Sequence, residues 1–121
     1  MRAYFSAVNE SVSGKTATTL QPFFNPSCSI CQSTWNGLQF TQLKGQSFRG
    51  GALVVVSIGP VTISPSGSAR VITVTSENAG EILATDGSVL SSFKTQLPSK
   101  VAYTLDPVGS TWVISASQIV S

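Results

Sequence analysis

Two cysteines and no histidine set the chemical limits of this 121-residue chain. Cys28-Ser29-Ile30-Cys31 is the one motif with redox or metal potential. A redox dithiol of this spacing needs a βαβ setting, with the second cysteine on a helix that follows a strand. Gln32-Ser33-Thr34-Trp35-Asn36-Gly37 reads instead as a turn, and no βαβ unit is evident. A closed zinc site takes four ligands, so only two chains together could complete one here. Cys28 and Cys31 are therefore expected as a loop pair, reduced or joined in a local disulfide, with a subunit-bridging metal as the alternative.

Other catalytic constellations fail on residue type or spacing. A Ser-His-Asp or Cys-His arrangement cannot be built without histidine. Glu77 and Glu81 flank Asn78-Ala79-Gly80 and read as solvated hairpin charges, while Asp86 and Asp106 sit where turns favour aspartate. Gly14-Lys15-Thr16 ends like a phosphate loop, but the glycine required five positions earlier is Asn9, and no strand precedes it. The expectation is a protein that is not an enzyme and needs no cofactor.

The elements that must position such residues are strands. From Leu38 onward, short apolar or alternating runs are separated by turn residues, as in an all-β sandwich or barrel. Ala52–Ile58 is apolar on both faces and predicts a central strand buried on both sides. Asp86-Gly87 predicts a tight hairpin. Thr62–Thr73 also aligns without gaps on Thr104–Ser115, with six of twelve positions identical. The shared Ser/Asp-Pro-x-Gly-Ser suits a type I turn closed by a left-handed glycine. Pro65 with Gly67, and Pro107 with Gly109, are thus expected to form twin hairpin turns, with Ile63/Ile72 and Leu105/Ile114 on the buried faces.

Residues 1–37 lack sustained periodicity and predict an extended, largely irregular N-terminal arm before a β domain at 38–121. No amphipathic helix is persuasive anywhere in the chain. Arg2 followed by Ala3–Val8 is too short, before Asn9-Glu10, for the apolar core of a leader peptide. No apolar run approaches a membrane span, so a chain made in the cytoplasm without a signal peptide is expected, with no membrane partner.

Charged residues are 10% of the chain, against about 25% in typical domains, and its 20 Ser and 12 Thr must solvate most of the surface. Net charge is +2 and scattered, which excludes the clustered basic footprint of a nucleic-acid-binding protein. A charge-poor surface lacks the repulsion that keeps monomers apart, and small domains often compensate for a modest core by oligomerising. Tyr4, Phe5, Phe23 and Phe24 are spaced along the arm as anchors that would dock on a partner. This texture resembles that of capsid decoration, fibre or tail components of bacteriophages, though no motif identifies a family. The resemblance implies a structural, assembly-forming virion protein: a homo-oligomer, with a trimer expected, contacting other structural proteins of a larger assembly. An adhesin-like or carbohydrate-binding β-sandwich module is the alternative, which Trp35 and Trp112 could serve as aromatic platforms. Trp112, however, shares a sheet face with Ile114 and is expected to pack in a core or interface instead.

Overall fold

A computed structural model describes residues 1–120; residue 121, the last of the expected β domain, lies outside the described residues. The molecule is mostly β, with 42% strand and 28% helix, and its two antiparallel sheets form a small sandwich-like fold. Helices α1 (Arg2–Val12) and α2 (Ser29–Leu43) flank a 3-10 helix at Ala17–Phe23. Eight strands follow: β1 (Ser47–Gly50), β2 (Leu53–Ile58), β3 (Thr62–Ile63), β4 (Ala69–Glu77), β5 (Gly80–Leu83), β6 (Val89–Phe93), β7 (Ser99–Val108) and β8 (Thr111–Ile119). The larger sheet runs β2-β4-β7-β8, with β3 also paired to β4, and the smaller runs β1-β5-β6.

The N-terminal third departs from the expected irregular arm. In α1 the buried residues Tyr4, Phe5, Ala7, Val8 and Ser11 recur at helical spacing. Residues 32–37, read as a turn, lie inside α2, as does the expected boundary at 37/38. Cys28 caps α2, its Sγ accepting from the Cys31 backbone N–H at 3.3 Å. One core joins both ends of the chain: Phe5, Leu20, Phe24 and Leu38 pack with Val101, Tyr103 and Ile114 of the larger sheet. Phe48 of the smaller sheet packs against the same cluster.

Strand details also differ. β2 is an edge strand, not a central one, and its outward Val54 and Val56 are exposed. Asn9 covers part of that edge: its Nδ2 donates to the Leu53 carbonyl at 2.9 Å, and the Leu53 N–H donates to its Oδ1 at 2.7 Å. The opposite edge, β8, is covered by the segment before α2. Phe24 bridges Ile114, and the Asn25 N–H donates to the Ile114 carbonyl.

The two repeated sequences do not close identical turns. At Ser64–Ser68, the Gly67 N–H donates to the Ser64 carbonyl, and Ser64 N–H to Ser68. Gly67 has φ 92°. Its structural counterpart is Ala84–Ser88, bonded the same way around Gly87 with φ 88°. Pro107 lies within β7 opposite Trp112, and the β7–β8 turn is the two-residue Gly109-Ser110, with Gly109 at φ 61°. A bulge near Thr104/Leu105 offsets this hairpin, so equal sequence gives a different loop. Ile114 is buried opposite Leu105, whereas Ile63 is exposed and Ile72 lies on the other face, paired with Ala102.

Candidate functional site

The four rings expected to dock on a partner instead meet one another. Tyr4 lies 5.6 Å from Phe5, 6.3 Å from Phe23 and 6.4 Å from Phe24 by ring centroid. Phe5 meets Tyr103 edge-on at 6.2 Å. Tyr4, Phe5 and Phe24 are buried and Phe23 half-buried, all within this chain. The hydrophobic area that made them candidate anchors is used to seat the N-terminal segment on its own sheet. Cys28 and Cys31 are joined in a disulfide and fully buried, which leaves no thiol to ligate a bridging metal. Among the described residues, no group of three or more His, Cys, Asp or Glu is arranged to hold an ion.

Seating the helices on the larger sheet leaves a cleft between them. It has a volume of about 390 Å³ and lies between Tyr4, Phe5 and Val8 of α1, Ile30 and Thr34 of α2, and the larger sheet. Thr75, Val101 and Tyr103 form its floor, and Leu53, Leu97 and Ile119 its rim. A second branch of about 190 Å³ shares Val8, Thr34, Leu53 and Glu77 and continues toward Phe48 and Phe93. The walls are pinned by side-chain amides. Asn9 ties α1 to β2, as above, while Gln42 of α2 accepts from the Ala17 N–H at 2.9 Å and donates to the Lys15 carbonyl at 2.8 Å.

The cleft is apolar with a few polar groups. Burial pushes the Tyr103 phenol up to about 12. Burial raises Tyr4 further, with Tyr103 adding to the rise and the Thr34 hydroxyl partly offsetting it. Both phenols are therefore neutral hydrogen-bonding groups at ordinary pH. Among the described residues, Glu77 is the sole charged one lining either branch. No lysine or arginine lines the cleft, and Glu77 has no ion-pair partner among the described residues.

Little in the sequence marks this site. Glu77 reads as a hairpin charge, and Leu97 and Gln96 lie in a strandless stretch. The alternation of Val71, Thr73 and Thr75 marks one face of β4, but only the helices above it make that face a cleft. Trp112, expected to pack in a core or interface, is 46% exposed near the β7–β8 turn, and it lies outside the cleft. Trp35 is half-buried against the core.

The overall architecture recurs in solved structures at low identity. The intermembrane space region of the chloroplast protein ARC6 is 13% identical, with a TM-score of 0.64 over 98% of this chain and 92% of that one. Aln2 from a Streptomyces species is 12% identical, with a TM-score of 0.58 over 98% of this chain and 85% of its own. A Caulobacter vibrioides protein described as having a cystatin-like fold is 15% identical, with a TM-score of 0.56 over 99% and 84%. No family model matches the chain, and no curated protein matches it in sequence. These likenesses concern the fold alone.

Proposed function

We propose that the protein is a non-catalytic binding module that holds a small apolar molecule in the cleft between the α1–α2 layer and the larger sheet. The observation that carries this reading is the cleft of about 390 Å³, floored by Val101 and Tyr103. That volume falls within the roughly 300–1,000 Å³ of typical ligand sites, which are likewise apolar with a few placed polar groups. The residues argue against turnover. Glu77 stands alone, and Asp86 and Asp106 lie outside the cleft and accept from Ser88 and Ser68. The test is a half-buried floor position made large: Thr75→Phe should keep the native melting temperature to within a few degrees while abolishing binding of apolar probes seen by amide shifts at Val101 and Tyr103. Full binding by a folded Thr75→Phe protein would refute the cleft.

A second reading, an assembly component such as a virion protein, has its own support. Leu43 is 80% exposed, Leu97 87% and Ile119 72%, on a chain with few charges to oppose association. Docking would then run through these residues instead of the buried rings. Sedimentation separates the readings, since a monomer at high micromolar concentration opposes homo-oligomeric assembly. The buried disulfide fits a chain that folds in oxidising surroundings.

A further inference from the structure

We infer that the cleft, on the ligand-binding reading above, selects small apolar molecules bearing a cationic head and discriminates against apolar anions such as fatty acids. The charge distribution is one-sided. Glu77 lines both branches, at the end of β4 where it pairs with Leu53, and its carboxylate has no hydrogen-bond or ion-pair partner among the described residues. Of the cations, Arg49 is committed to Glu81 and Lys15 to Glu10, and neither lines the cleft.

An anionic head drawn into this cleft would find hydroxyls and amides but no cation, beside a carboxylate of its own sign. Glu77 is exposed at the cleft mouth, so the two like charges repel there with about the strength of an exposed ion pair. An ammonium head has the opposite experience. It can sit at the exposed Glu77 while its chain lies over Val101 and Tyr103, toward Phe5. A small molecule suits the cleft better than an extended peptide. Peptides added to sheets use free edge donors and acceptors. Beside the cleft those groups are taken: Asn9 occupies the β2 edge at Leu53, and the Phe24–Ile30 segment covers β8.

The experiment compares three probes with one alkyl chain, decylamine, decanol and decanoate, titrated at pH 7 and low salt against the full protein. Amide shifts at Val101 and Tyr103 provide the readout. Decylamine is expected to bind about fivefold tighter than decanol, the upper span of an exposed ion pair, with decanoate weaker than decanol by a similar factor. Glu77→Gln should erase the amine's advantage over the alcohol, and molar salt should shrink it in the parent. Decanoate binding as tightly as decylamine would overturn the selectivity, as would an amine preference that survives Glu77→Gln; either result leaves the cleft a binding site. Failure of all three probes to shift these residues removes the binding reading and the selectivity together.

Discussion

Tyr4 and Tyr103 are the only tyrosines, and both sit in the core with raised phenol pKa values, burial being the main cause in each. An unfolded chain releases these protons near pH 10, whereas the folded protein retains them. Their effect on stability is therefore nil below about pH 10 and increasingly adverse as pH rises through the folded values. Urea midpoints should hold steady to pH 9 and fall by pH 11, with phenolate absorbance appearing as the protein unfolds. Ionisation near pH 10 in a protein that stays fully folded would contradict the buried placement. Glycines give a second test at this scale. A Cβ on Gly80 would come within 2.6 Å of the Gly51 backbone nitrogen and 2.8 Å of the Phe93 ring, where β1 and β5 approach closely. Gly67 and Gly109 face open space, and their demand is only conformational. Gly67→Val and Gly109→Val should each cost about 1–2 kcal/mol. Gly80→Ala should cost more, despite the smaller side chain, because backbone must move. Thermal melts that rank Gly80→Ala as the mildest would refute the close approach. Positive φ at Gly67 and Gly109 is legible from turn chemistry, whereas the crowding at Gly80 depends on a partner strand about thirty residues away and is not.

Strands were far more legible than helices, and the reason lies in what each element buries. β4 alternates Val71 and Thr73 inward against Ile72 and Val74, and that period survives in any single-sequence reading. The buried face of α2 consists of Cys31, Leu38 and Thr41, with Gly37 and Asn36 among poor helix formers in its middle. Too few large apolar residues mark the face, so tertiary packing, not propensity, holds this helix. The Thr41 hydroxyl bonds back to the Gly37 carbonyl at 3.0 Å, and the disulfide fixes the first turn. The motif at Cys28 and Cys31 was visible, but its role as a helix-start staple requires knowing that a helix follows. Closing so short a loop contributes about 2 kcal/mol by chain entropy. Cys28→Ala/Cys31→Ala should therefore lower stability by about that amount and still fold. Amide protection should be lost first at Asn25 and Ile30, the staple's neighbours, whose N–H groups donate to the Ile114 carbonyl and the Ser117 hydroxyl of β8. Denatured, unreduced protein should show no free thiol; two titratable thiols would remove the staple.

At the scale of the whole molecule, the N-terminal third and the sheet are halves of one core. A division at 37/38 would cut α2 and strip Tyr4, Phe5, Leu20, Phe24 and both cysteines from the packed cluster. The remainder would present Val101, Tyr103 and Ile114 to water, along with the β8 edge that Phe24–Ile30 covers. Fully burying a large apolar side chain is worth roughly 1.5–3 kcal/mol. Losing several such partners forfeits an amount comparable with the roughly 5–15 kcal/mol that a domain has in total. Deletion of residues 1–37 is thus expected to abolish cooperative unfolding, to expose dye-binding apolar surface and to drive aggregation through the freed β8 edge. Co-expression of residues 1–37 as a separate peptide should restore little, because the cut falls inside α2. Association also costs the fragment about 4–15 kcal/mol on top of the ordering cost that the intact chain meets too. A truncated protein that melts cooperatively near the parent temperature would show that the sheet is self-sufficient. The helical third would then be an appendage and not one wall of the cleft.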